Sequence, residues 1–346
     1  MSPKSIQIIG GGLAGLALGI RLRLNAVPVT VWEAGHYPRH RVCGEVLSGR
    51  GYDVLEELGL LERAWKAGAR LAQTTAFFTA NRGTPIHRLP RPALCLARYE
   101  LDYLLAKRLR ELGGELREGE RWTAPASGPG IVRATGRPAQ PTDPAGWRWF
   151  GLKAHSLGVE LGADVEMHLL DGSYVGLCRL AHDRVNVCGL FRRSPAQPRL
   201  AESGLEYLRG PANSLLRQRL ASAEWDQGSF CAVAGLPLQP CRAGDSDECR
   251  LGDALTMISP VTGNGMSMAL EAADLAAPAL SAYSFGQLDW LAARAQVAQA
   301  CDARFAGRLY WASCLHRALF HPMKRAALLF AGRSPWAWRI AYQLTR

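Results

Sequence analysis

The sequence predicts an α/β fold in which a dinucleotide-binding Rossmann unit precedes a sheet of antiparallel strands and a helical C-terminal region. Three observations predict it: a strand, glycine loop, helix and strand in succession at the start, short apolar alternations in the middle, and mostly helical spacing beyond Leu200. The chain of 346 residues, 48% hydrophobic, suffices for a large buried core and about two domains.

Ser5 to Ile9 form a short apolar strand that runs into Gly10-Gly11-Gly12-Leu13-Ala14-Gly15, an Ala/Leu-rich helix to about Asn25, and a second strand from Val27 to Glu33. In such a unit Gly10 permits the tight turn, Gly12 lets a pyrophosphate approach the backbone, and Gly15 lets helix and strand pack closely. The free N–H groups at the helix start then hold the anion. Glu33 ends the second strand eighteen residues after Gly15, where a carboxylate accepts hydrogen bonds from ribose hydroxyls. The alternative is a Gly-rich turn with a purely structural role. A helix follows from Arg98 to Leu112, and periodicity disappears among the Pro and Gly residues of Trp122 to Gly146. Strands are expected at Trp149 to Leu152, Val165 to Leu170, Tyr174 to Leu180, Arg184 to Leu190 and around Cys231 to Ala234, with Asp171-Gly172 as a hairpin turn.

Composition excludes several classes of function. No uncharged apolar run reaches the roughly 18 to 20 residues of a membrane span, and Gly10 to Gly12 interrupt the only stretch that imitates a secretory signal. Nine cysteines without a C-x-x-C pair fit neither a disulfide framework nor a zinc ribbon, so a reducing cytoplasm is the expected compartment. Of the +11 net charge, +8 lies in Ala303 to Arg346, leaving no basic footprint for nucleic acid on the remainder. Of the eight histidines only His36 and His40 stand four apart, in a Pro/Arg loop, and no H-E-x-x-H occurs, so no metal site is expected. His155 and His168 are candidates for the sheet region, either as core or surface residues or as groups orienting a substrate oxygen. No G-x-S-x-G supports acyl transfer.

A second motif comes late: Arg250-Leu251-Gly252-Asp253-Ala254, then Ser259-Pro260-Val261-Thr262-Gly263-Asn264-Gly265-Met266 leading into an Ala-rich helix. Paired with the glycine loop, it resembles the late flavin-binding motif of FAD oxidoreductases with a glutathione-reductase-type nucleotide-binding domain. More narrowly, roughly residues 1 to 285 resemble the superfamily of group A flavoprotein monooxygenases and geranylgeranyl reductases. The resemblance implies a discontinuous FAD-binding domain (1–75, 95–136 and 245–285), an inserted antiparallel-sheet substrate domain (76–94 and 137–244), and C-terminal helices (286–346). It implies FAD held by Gly10, Gly12, Leu13, Ala14, Gly15, Glu33 and Ala34 at one end. At the other end stand Asp253, Pro260, Gly263, Asn264, Gly265 and Met266, with the helix N-terminus near Met266 aimed at the flavin, whose reduced form is anionic.

Arg39-His40-Arg41-Val42-Cys43-Gly44-Glu45 resembles the basic and C-G-E segment of geranylgeranyl reductase relatives. It implies Arg41 along the FAD and Cys43 near the flavin ring, Cys43 being the catalytic candidate if its thiolate is available and an inert packed residue otherwise. Arg98 matches an arginine that begins a helix beside FAD in this superfamily; a solvated helix-start arginine is the alternative. Where group A monooxygenases carry an Asp-Gly motif, Ala134-Thr135-Gly136-Arg137 stands instead, which leaves open direct reduction by NADH or NADPH against a separate electron donor. The aromatic segment of geranylgeranyl reductases is replaced by Tyr174-Val175-Gly176-Leu177, and Trp147-Arg148-Trp149-Phe150-Gly151 lacks the Ile-Pro of flavin-dependent halogenases.

These matches imply an FAD-dependent monooxygenase that uses O2 to hydroxylate an aromatic or polyketide-like lipophilic small molecule in secondary metabolism. The alternative is an FAD-dependent double-bond reductase acting on a prenyl lipid or quinone; the third reading is a flavin-binding partner protein without turnover. The tail at 303–346 interleaves aromatics, among them Phe330, Trp336, Trp338 and Tyr342, with its eight cations, Lys324 included. Such a segment rests on an anionic membrane surface, closes over a lipophilic pocket, or packs as helices with arginines toward water.

Overall fold

The computed structural model describes residues 2–138, 142, 143, 145–194, 204–321, 323, 325–327 and 333–346. Lys324, Leu328, Leu329 and Phe330 of the expected tail lie outside the described residues.

The chain opens with β1 (Ile6–Ile9), α1 (Leu13–Leu24) and β2 (Val29–Glu33), the expected βαβ unit. Its strands pair in parallel with Ile8 opposite Val31. Helix α1 is buried on nearly every side, which only a run of Leu, Ala and Gly allows. A Cβ at Gly19 would come within 3.1 Å of both Leu109 and Val31. There follow β3 (Val46–Leu47), α2 (Gly51–Glu57), α3 (Leu61–Lys66), β4 (Arg70–Phe78), β5 (His87–Cys95) and α4 (Arg98–Glu111). Then come β6 (Glu115–Glu118), β7 (Ile131–Arg133), β8 (Arg148–Leu157), β9 (Val165–Leu170), β10 (Ser173–Arg179) and β11 (Val185–Arg193). The described chain continues through α5 (Gly204–Arg209), α6 (Leu215–Arg219), β12 (Glu224–Ala234), β13 (Cys249–Arg250), α7 (Gly265–Ser284), α8 (Trp290–Leu319) and α9 (Pro335–Leu344).

Two sheets organise these elements. The smaller is parallel, in the order β13-β7-β1-β2-β6. Its core is closed by α1, α4 and α7. The larger runs β12-β8-β11-β10-β9-β4-β5-β3 and is antiparallel except where β4 meets β9. The turn at Asp171-Gly172 joins β9 to β10 as expected. Strand alternation gives the larger sheet two destinies. Val175 and Val187 enter a core with Leu208 of α5 and Leu216 of α6, while Tyr174, Cys188 and Leu190 face a cavity between the two sheets.

Helices α7 and α8 are stapled by a buried carboxylate. Arg308 Nη1 lies 2.9 Å from Glu271 Oε1, and Arg304 Nε lies 3.0 Å from Glu271 Oε2. Arg308 is thereby buried, whereas Arg304 stays exposed, so one cation of the basic tail is internal. Helix α9 lies along β5, with Trp338 Nε1 donating to the Arg88 carbonyl and Tyr342 Oη to that of Arg91. Among the described residues no helix is long and apolar enough to cross a membrane.

Candidate cofactor and substrate cavity

A cavity of about 820 Å³ extends from the glycine loop and Asp253 to the inner face of the larger sheet. Gly10, Gly12, Leu13, Ala14, Glu33, Arg41, Cys43, Arg98, Asp253, Pro260, Gly263, Gly265 and Met266 all line it, so residues from both ends of the chain converge. Three of the sequence-predicted residues do not reach its wall. Gly15 works from behind: a Cβ there would sit 1.9 Å from the Gly10 carbonyl oxygen. Ala34 is exposed at the end of β2. Asn264 is buried, its Nδ2 donating to the Thr345 carbonyl at 2.8 Å.

The glycine loop divides into two kinds of position. Gly10 has φ +108° and its missing Cβ would strike Ala134 O at 2.3 Å, so both conformation and space demand glycine. At Gly12 a Cβ would meet nothing within 4 Å; it would project into an empty cradle at the start of α1. Glu33 accepts from the Gly11 N–H at 3.0 Å and the Gly35 N–H at 2.8 Å, and Arg39 Nη2 stands 2.7 Å away. Burial raises its pKa, but the Arg39 and Gly35 hydrogen bonds and the charges of Arg39 and Arg41 prevail, and the carboxylate titrates below its ordinary value.

Arg98 begins α4 and clamps Asp102 with bonds of 2.6 and 2.7 Å. Arg41 lies 4.0 Å from Glu33, and its buried Nε has no partner among the described residues. Asp253 opens onto the cavity while protein encloses it; this burial raises its pKa against the pull of Arg98 and Arg137. Cys43 Sγ lies 3.2 Å from Met266 Sδ. Burial pushes its thiol pKa up, opposed by Arg98, so the environment favours the neutral thiol and supplies no activated thiolate.

The cradle fits FAD. It offers an empty backbone-lined space at Gly12, the N-termini of α1 and α7, an orphaned Arg41 Nε, and carboxylates at Glu33 and Asp253. Residues 4–141 match the family model described as the FAD binding domain. The chain carries an FAD-binding domain over those residues. Rifampicin monooxygenase of Rhodococcus hoagii is 28% identical to this flavoprotein over 130 residues, 35% of the chain and 26% of that protein. The 6-methylpretetramide 4-monooxygenase of Streptomyces rimosus is 30% identical over 105 residues, 29% of the chain and 25% of that protein. The chain thus spans about a quarter of the length of these curated relatives. The structure of PqsL from P. aeruginosa with 2-aminobenzoylacetate superposes with TM-score 0.71 at 19% identity, covering 94% of this chain and 100% of that one, and shows a shared fold.

Sequence reasoning missed a second set of residues. Glu45 sits fully buried in the left-handed region at φ +58°. Its Oε2 lies 2.7 Å from His155 Nε2, its Oε1 accepts from the Arg98 N–H at 3.0 Å, and Lys153 Nζ is 3.5 Å away. Lys153 and His155 are fully buried on β8, more than a hundred positions from Glu45. The strand expected at Trp149 to Leu152 stops short of both Lys153 and His155, whereas β8 runs on to Leu157; nothing local distinguished Lys153. His168 was the other sheet candidate and turns away from this group, pairing with Glu166 at 3.1 Å.

Proposed function

We propose that this flavoprotein is an FAD-dependent monooxygenase hydroxylating an aromatic or polyketide-like lipophilic small molecule in secondary metabolism, with O2 as co-substrate and NADH or NADPH as reductant. The observation that carries the reading is the continuity of one cavity from the Gly12 and Asp253 cradle to an apolar sheet face. Bound FAD supplies the redox chemistry. The chain's own residues position and exclude water: Met167, Leu169, Leu190 and Leu236 form an apolar chamber, and Trp338 and Tyr342 of α9 cover it.

The cofactor-holding part is placed in 1–75, 95–136 and 245–285 and the substrate-holding part in 76–94 and 137–244; β3 and β4, which join the larger sheet, are shared between them. Of the residues predicted for the cofactor, Glu33 and Asp253 serve as acceptors, Arg41 and Arg98 as cations, and the glycines as cradle; Cys43 serves as wall. Residence is cytoplasmic, and the segment 303–346 is the candidate for any peripheral membrane contact.

The test is product mass. Protein supplied with FAD, NADPH or NADH, oxygen and candidate polyketides should yield a product heavier by one oxygen. A saturated product formed without oxygen would instead establish the double-bond reductase.

A further inference from the structure

The cofactor cradle leaves a buried polar group in the cavity wall unused. His40 and Glu45 line the cavity, and Lys153 and His155 complete the group without reaching its surface. Lys153 Nζ lies 3.2 Å from His40 Nδ1. An ammonium has donors only, so Nδ1 must accept and the imidazole proton resides on Nε2. The ring is clamped, its face on Tyr99 at 4.7 Å between centroids and its edge against His155 at 5.2 Å. Burial, followed by the charges of Lys153 and His155, lowers the His40 pKa to about 4 against Glu45 and Asp226, so the ring is neutral at pH 7.

We infer that His40 is the polar anchor of the chamber, its Nε2–H donating to a carbonyl oxygen on the bound molecule. Lys153 fixes the tautomer, and Glu45 and His155 are positioning residues for Lys153. A carbonyl fits better than an anion because Glu45 and Lys153 balance each other's charge beside the neutral His40 ring. The same cavity is lined by the apolar Met167, Leu190, Val233 and Leu236, and by Tyr174, whose buried hydroxyl has no partner among the described residues and is the competing donor for a ligand carbonyl. Left-handed non-glycine backbone, as at Glu45, persists where surrounding contacts over-determine it and gathers at functional sites.

The inference rests on reading the sheet side of the cavity as the substrate chamber, and its test reads binding and protonation, not turnover. The probes are fluorenone and fluorene, flat tricycles that differ only in one carbonyl. By equilibrium dialysis on the FAD-loaded protein, fluorenone should bind about tenfold more tightly, the worth of one hydrogen bond. His40→Leu should equalise the two, and His40→Gln, which keeps a donor, should restore part of the preference. Nitrogen NMR should find the wild-type His40 proton on Nε2. In Lys153→Met both tautomers should appear, with the His40 pKa raised. Equal or absent binding of the two probes in the wild type, a ketone preference that survives His40→Leu, or a wild-type proton on Nδ1 would each overturn the inference. The wild-type tautomer is measurable even if Lys153→Met does not fold, and failure to find an oxygenated product would leave these readouts untouched.

Discussion

The two ends of the cavity are built on opposite principles. The cradle end uses backbone: glycines that let chain approach chain, helix N-termini, and arginines and carboxylates within a few residues of them. The sheet end uses side chains, one from every second position of strands far apart in sequence, with one buried ionic group set among carbon and sulfur. The difference teaches where tolerance lies. A backbone cradle fails when any atom is added, whereas a side-chain wall fails when a charge is left without its partner.

The largest effect should therefore come from the sheet end. Glu45→Ala leaves Lys153 buried without its carboxylate, and removing one partner of a buried pair costs about 3–5 kcal/mol. Chemical denaturation should show that loss, and an unchanged midpoint would mean that the pair contributes nothing. Next come the two glycines, which separate fold from ligand. Gly15→Ala drives a Cβ into the Gly10 carbonyl and should cost about 1–3 kcal/mol together with FAD retention. Gly12→Ala meets no atom, so stability should change by less than about 0.5 kcal/mol while FAD binding weakens. Equal behaviour of the two variants would erase the distinction.

A smaller, pH-dependent effect belongs to Glu33. Its folded pKa lies below its ordinary value of 4.5, so its stabilising contribution is present above that value and is lost as pH falls through the folded pKa. Urea midpoints followed downward from neutral pH should fall more steeply in the wild type than in Glu33→Gln; parallel curves would show that Arg39 and the Gly35 N–H do not hold the carboxylate. The smallest change is expected at Cys43. Because its thiol is held neutral, Cys43→Ser should retain FAD, and the wild-type residue should alkylate no faster than a free thiol at the same pH.

The same contrast explains what was legible in the sequence. The placement of Gly10, Gly12 and Glu33 in the cavity wall and of Gly15 behind it could be read because it depends on spacing within one βαβ unit, and that of Asp253 to Met266 because the segment is equally local. The strand at Val165–Leu170 emerged with matching boundaries, and the helix expected over Arg98 to Leu112 starts at Arg98 and ends at Glu111. Lys153 carried no local mark. Its meaning comes from register, which sets it opposite Cys188 and on the cavity side of β8, and from Glu45, which arrives from another part of the chain. Arg308, four residues from the exposed Arg304 in the same basic segment, is buried because Glu271 of another helix pairs with it. Ionic partners brought together by folding have no signature in spacing.

The central claim is that the Gly12 and Asp253 cradle holds FAD. Titrating FAD into cofactor-free protein and following the quenching of flavin fluorescence tests it most directly. The account predicts saturation at one FAD per chain in the wild type and much weaker binding in Gly12→Ala. Absence of quenching in the wild type, or undiminished binding when Gly12 is replaced, would contradict it.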